Sequence, residues 1–190
     1  MTRTNGIELY QKAQRLGQRD YREKMIAGQS PFLPVLDDIL RNVPVENQIP
    51  LGLVDIPLSF VVGTKTAGRT AAFASNFMPL LDAKTEFGIK WTNLCMAHLE
   101  EGIRDPIRCY EYMGRFYVQE GNKRVSVLKY FDASSVLGNV TRIVPQYSDD
   151  PAVRMYYEFM HYYPIMNNYL FTFTKPVSYT HLTLPTILLV

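Results

Sequence analysis

The sequence predicts an α+β domain preceded by an N-terminal helical extension, and three observations predict it. Segments whose apolar residues recur at helical spacing alternate along the chain with apolar runs of strand length. Two such runs, about Ile107 to Tyr112 and Arg115 to Gln119, meet at Met113-Gly114 as a hairpin. The second run then passes through Glu120 and Gly121 directly into a helix that opens on Asn122-Lys123-Arg124.

The first element is a helix from Ile7 to about Gly28, with Tyr10, Ala13, Gly17 and Tyr21 along one stripe and Arg15, Arg19 and Arg22 along another. An arginine stripe opposite an apolar one reads first as a solvated face and second as a surface for DNA phosphates. Gly28 and Pro31 stop the helix. A short helix from Val35 to about Arg41 brings Leu36, Ile39 and Leu40 together, and residues 1–48 read as a docking extension. Gly52 to Val62 is a β segment in which Pro57 signals an edge or a bulge. Lys84 to Glu101 is a helix that carries Phe87, Trp91, Leu94, Cys95, His98 and Leu99 against a sheet and ends at Gly102. His98, set among apolar residues, reads as a buried, hydrogen-bonded ring rather than a catalytic one. After the hairpin come a helix from Asn122 to Phe131, a strand from Val140 to Val144 and a helix from about Pro151 to Tyr162. That last helix presents Met155, Tyr156, Phe159 and Tyr163 to a core, and Tyr169 to Phe173 is a final strand.

A chain of 190 residues is long enough to bury a real core as one domain with an extension. Its formal charge of +2 implies no bulk polyanion partner, so any phosphate chemistry must come from a local cluster. Cys95 and Cys109 form no CxxC pair and have no histidine at ligand spacing, which argues against a zinc site or a disulfide framework. The opening residues lack the apolar core of a signal peptide, and no run of about eighteen apolar residues is long enough to span a bilayer. The expected setting is therefore reducing and cytoplasmic, away from membranes. The uncharged stretch Val177 to Val190 resembles the translation of a transposon adapter used in sequencing libraries. On that reading 177–190 is a non-native tail, and residues 49–176 are a truncated domain.

Two segments carry candidate chemistry. At Gly121 a strand ends and a helix begins, so unpaired first-turn N–H groups and the positive end of the helix dipole attract phosphate oxygens while glycine lets the backbone come close. Asn122 opens that helix, and Lys123 and Arg124 add full charges, Arg with the option of a two-pronged grip. Glu120, beside them, is the candidate catalytic group: it has the chemistry of a general base toward a hydroxyl or of a magnesium ligand through water, or it simply pairs with Lys123 or Arg124 and holds the loop. The other segment is Gly63 to Thr70, one residue type short of the P-loop pattern because Arg69 stands where the lysine belongs. A P-loop also needs a magnesium-binding Asp at the end of a later strand, and none is clear. A phosphate-contacting loop of another kind remains, with the hydroxyls of Thr64 and Thr66, the charges of Lys65 and Arg69, and Gly68 to free the backbone.

Taken in order, the strand, the Gly63 to Arg69 loop, the helix, Gly102-Ile-Arg-Asp-Pro-Ile107, the hairpin, Glu120-Gly-Asn-Lys-Arg124, the helix and the strand Thr141 to Pro145 resemble the ParB and sulfiredoxin superfamily, which includes free serine kinases of the same fold. The resemblance covers roughly residues 50–146. It implies a mixed sheet with flanking helices, in which Gly121, Lys123 and Arg124 take the places of the box that grips nucleotide phosphates. Arg69 lies where the family often has an arginine after the first strand. The implied ligand is a nucleoside triphosphate, ATP or CTP, with magnesium (Mg), and the implied activity is nucleotide binding with hydrolysis or phosphoryl transfer. Asn122 stands where sulfiredoxins need their cysteine, so thiol repair chemistry is not expected. Asn122-Lys123 also replaces the Glu-Arg usual in ParB proteins, and no helix-turn-helix pair follows residue 146. The alternatives are a ParB-like regulatory module that associates with DNA and has lost its reading part, and a non-catalytic interaction or sensory domain. A second copy of the chain completes the set of expected partners.

Overall fold

A computed structural model describes residues 3–162 of the protein. Met1–Gln146 make one compact unit, and the chain from Tyr147 onward belongs to another. The first unit contains helices α1 (Arg3–Ile26), α2 (Leu36–Ile39), α3 (Glu86–Glu101) and α4 (Asn122–Tyr130). Its strands are β1 (Val45–Pro57), β2 (Val61–Thr64), β3 (Ile107–Tyr112), β4 (Arg115–Glu120) and β5 (Ser135–Pro145). The sheet order is β1-β5-β3-β4-β2. β1 with β5 and β3 with β4 run antiparallel, while β5 with β3 and β4 with β2 run parallel, so this is an α+β fold on a mixed sheet.

The expected single β segment from Gly52 to Val62 is two strands on opposite edges of the sheet. Pro57 has no N–H to continue the ladder, and Leu58–Phe60 form a 3-10 turn in which the Leu58 N–H donates to the Ser134 carbonyl. β1 also begins earlier than expected, at Val45, and β5 is longer than Val140 to Val144. Both extensions have the same cause: Val45 to Pro57 pairs along the whole of β5, with bulges at Glu46 and Leu51. The hairpin is as expected, with Met113 at φ 51° and Gly114 at φ 73° making a left-handed two-residue turn.

Helices α1, α3 and α4 give one face of the sheet its core. Tyr10, Ala13, Phe87, Trp91, Cys95, Val125 and Leu128 pack in one cluster with Ile107, Cys109, Phe116, Val118 and Val140. Trp91 is fully buried between Tyr10 and Tyr130, and its indole N–H donates to the Ser126 hydroxyl at 2.8 Å. The Tyr10 hydroxyl donates to the Leu81 carbonyl. Gly17 lets α1 lie close to the chain at Pro79, since a Cβ there would stand 2.6 Å from that carbonyl oxygen. Arg15, Arg19 and Arg22 are exposed, as a solvated face requires. A smaller cluster of Leu36, Tyr117 and Ile143 covers the other face, to which the strand alternation sends Tyr110 and Tyr112 as well.

α5 (Pro151–Tyr162) forms as expected, with the Asp150 carboxylate accepting the Ala152 N–H at 2.7 Å as its cap and Tyr156 buried. Tyr163, the strand expected at Tyr169 to Phe173 and the 177–190 tail lie outside the described residues.

Candidate functional site

β4 delivers the chain to Gly121 in a left-handed conformation, φ 105° and ψ 16°, and α4 starts at the next residue. Ile107 on β3 enforces the glycine, because a Cβ at position 121 would lie 2.7 Å from its Cγ2. The first bond of the helix runs from the Val125 N–H to the Gly121 carbonyl, so the N–H groups of the preceding turn have no partner within the helix. No acidic residue occupies that turn; Lys123 and Arg124 do. Cations at a helix N-terminus oppose the macrodipole at about 0.3–1 kcal/mol each, a cost that a bound anion reverses.

The two sequence motifs meet at Arg124. Its guanidinium donates to the Pro106 carbonyl at 3.0 Å and stands 3.9 Å from the Asp105 carboxylate, with about a quarter of the side chain exposed. Gly102 to Ile107 thus supplies the brace for the residue that Gly121 to Arg124 presents. The Lys123 ammonium lies 5.0 Å over the Phe87 ring. Glu120 is exposed and faces Arg108 across the hairpin at 4.0 Å, rather than pairing with Lys123 or Arg124.

These groups border a cleft of about 360 Å³. Gln119, Glu120, Asn122, Lys123 and Arg124 line one side, and Phe73, Phe87, Leu94 and Lys90 the other. Phe73 meets Phe87 edge-on at 5.1 Å, which gives that wall an aromatic patch beside the charge of Lys90. A second groove of similar size, along Ala97 and Gly102 to Asp105, shares Leu94 and Arg124 with the first. Within the cleft wall Asn122 is only 9 % exposed, and its Oδ1 is buried with no hydrogen-bond partner among the described residues.

The Gly63 to Thr70 loop is largely employed elsewhere. Thr64 is buried, and its hydroxyl donates to the Val118 carbonyl at 3.1 Å. Lys65 donates to Asp37 at 2.8 Å and sits 5.2 Å over Tyr110, on the sheet face away from α4. Thr66 and Gly68 are exposed, and none of these four lines the cleft. Arg69 falls in the 3-10 turn Ala67–Ala72, which leads to Phe73 in the cleft wall. A P-loop needs an α-helix at that point to direct its N–H groups, so a 3-10 turn removes that reading.

His98 is half-buried, accepts the Ile103 N–H on Nδ1 at 3.2 Å and packs on Phe131 at 5.2 Å, so it finishes α3 and braces the Gly102 to Ile107 segment. Burial pushes the Cys95 thiol up to about 11 and, with help from Glu111, the Cys109 thiol up to about 12. Both stay protonated at neutral pH, so neither is a nucleophile there. Lys90 and Phe73 are cleft residues that the sequence reading did not name, and Gln119 appeared there only as the end of a strand. Lys90 lies three residues after Phe87 and four before Leu94, and that spacing was the available signal. Among the described residues no group of three His, Cys, Asp or Glu side chains could hold a metal ion, and no helix is long and apolar enough to cross a membrane.

No family model matches the chain, and no curated protein matches it either. A solved structure of sulfiredoxin from Arabidopsis thaliana is similar at 17 % identity and a TM-score of 0.32, over 46 % of this chain and 82 % of that one. A likeness of that size bears no weight on function.

Proposed function

We propose that the protein binds a phosphate-bearing ligand at the N-terminus of α4, with a nucleoside triphosphate as the ligand that suits the cleft. One observation carries this reading: two cations are held at the positive end of a helix dipole, with a left-handed glycine before them and Arg124 braced on the Pro106 carbonyl. The neighbouring groove along Gly102 to Asp105 offers room for the rest of a nucleotide beyond its phosphates. Magnesium would arrive on the phosphates, and Glu120 is the carboxylate of the cleft wall able to hold its water shell. Glu120 would also serve as the general base if the bound phosphoryl group is transferred or hydrolysed. The turn that carries Arg69 leads to Phe73 in the cleft wall, and Thr64 and Lys65 stay with the sheet. Two buried free thiols suit a reducing cytoplasmic setting.

A thermal-shift series with ATP, CTP, GTP and inorganic phosphate, each with and without magnesium, tests this. A ligand at a hundredfold excess over its Kd stabilises by about 2.7 kcal/mol, and Arg124→Ala should remove that shift without changing the far-UV circular dichroism. If no phosphate compound moves the midpoint, the reading is wrong. A second reading, contact with DNA phosphates, is favoured by the exposure of Arg15, Arg19 and Arg22 on α1. Replacing all three with Gln would then abolish salt-dependent duplex binding and leave the nucleotide response intact.

A further inference from the structure

A separate groove of about 400 Å³ lies at the opposite end of α4 from the cleft, between α1, the turn at Asn76 and Met78, and the residues that close α4. Lys129 lines it and is half-buried. Its nitrogen donates to the Val61 carbonyl at 2.9 Å and stands 5.1 Å over the Phe77 ring. Val61 and Phe77 are both buried and neither borders the groove, so these two contacts hold the nitrogen from its inner side. A tetrahedral nitrogen bonded to Cε and held by two such partners has one direction left, which in a side chain that lines the groove opens into it. A neutral amine fits that arrangement, with two N–H groups inward and the lone pair outward. The groove's own carboxylates are engaged elsewhere: Asp20 accepts from the Ser75 hydroxyl at 2.7 Å, and Glu23 pairs with Arg19 at 2.7 Å. Burial accordingly lowers the Lys129 amine below the ordinary lysine range. Backbone strain marks the same place. Phe77 is held at φ 69°, rare for a bulky aromatic residue, and Asp132 at φ 52°, and such strain concentrates at functional sites.

We propose that this groove is a carbonyl-binding site, in which the Lys129 amine adds to a neutral aldehyde or ketone and forms an imine. The nitrogen lone pair makes the C–N bond to the carbonyl carbon. The nitrogen's two protons leave with the carbonyl oxygen as one water, so the step needs no oxidant or reductant. Asp20 and Asp132, on the same groove wall, are carboxylates able to pass those protons. The charged and titratable groups that border the groove besides Lys129 are Arg19, Asp20 and Glu23 from α1, and Tyr130 and Asp132 beside the lysine. With the amine neutral, one formal positive charge faces three negative ones, so an anionic carbonyl compound is repelled and a neutral one admitted.

The test is reductive trapping on the full chain at neutral pH with propanal and cyanoborohydride, read residue by residue by peptide mass spectrometry. Lys129 should be alkylated about fivefold or more faster than the exposed Lys12 and Lys84, and its rate should level off at a lower pH than theirs. Glyoxylate, the anionic probe, should show no such advantage at Lys129. In urea, with the chain unfolded, the three lysines should react alike. Lys129→Arg keeps a cation for Val61 and Phe77, so it should remove the fast-reacting fraction of the intact protein with little change in melting temperature. If that variant does not fold, the wild-type comparison decides the matter. Native Lys129 reacting no faster than Lys12 overturns the proposal, as does reaction only after unfolding or an equal advantage with glyoxylate. None of these outcomes touches the phosphate reading, which uses other residues.

Discussion

Gly121 carries two constraints in one residue. Its φ of 105° is open to glycine at little cost, and the Ile107 Cγ2 occupies the space a Cβ would need. Gly121→Ala should destabilise the fold by about 2 kcal/mol or more from backbone strain and the clash together, measured as the midpoint shift in urea. Ile107→Ala on that background would relieve the clash and leave the strain, so the double variant should recover only part of the loss relative to Ile107→Ala alone. Glu120 belongs at this scale too. It is exposed and held only loosely by Arg108. Glu120→Gln should therefore leave stability within about 0.5 kcal/mol, and a change in turnover with unchanged nucleotide binding would assign it the catalytic role.

Among the elements, β3 and β5 are joined by the buried pair of Glu111 and Arg142, whose residues lie side by side in the parallel register. Glu111 also accepts the Gly114 N–H of the hairpin turn at 2.7 Å. Arg142→Met would leave that carboxylate buried without its cation and should cost about 3–5 kcal/mol in denaturant unfolding, a far larger loss than any exposed ion pair of α1 would give. Elements of this fold were legible where period and punctuation agreed. α3 is announced by Phe87, Trp91 and Cys95 and closed by Gly102, and the hairpin by Met113-Gly114 between two apolar runs. What the chain does not announce is pairing. Val45 to Leu51 has no clean alternation because nearly all of it is exposed, and it is a strand because β5 offers it a ladder. The local geometry at Gly121 to Arg124, a left-handed glycine between a strand and a helix that opens with two cations in its first turn, was readable from local chemistry alone. The fate of Thr64 and Lys65 depended on partners far along the chain, Val118, Asp37 and Tyr110, which no local pattern reveals.

At the scale of the whole molecule, Trp91 is the protein's single tryptophan and is buried at the junction of α1, α3 and α4. Its emission should be blue-shifted in the native state and should move red in one transition that coincides with loss of helical circular dichroism. Buried thiols and the tyrosines Tyr10, Tyr117 and Tyr130, whose hydroxyls burial pushes up, together set the alkaline limit. Burial raises Cys95 from 9.0 to about 11 and Cys109 from 9.0 to about 12, so the unfolded chain loses these protons first. Their contribution is complete below pH 9 and is lost as pH climbs to about 11–12, while Lys129, lowered by burial, acts in the opposite sense. Stability should thus fall above pH 9, less steeply in Cys95→Ala relative to its own neutral-pH value, and native protein at pH 8 should resist thiol alkylation until it unfolds. The 3-10 turn at Leu58–Phe60 has a consequence in time as well. It sends β1 and β2 to opposite edges, so the three strands between them are all made later by the ribosome. β2 waits for β4, and β1 waits for β5, whose last residue is Pro145. A nascent chain that has not yet released β5 from the exit tunnel holds a thirteen-residue strand without its ladder, so the sheet should close late and in one step, at the slow rate of non-local strand pairing.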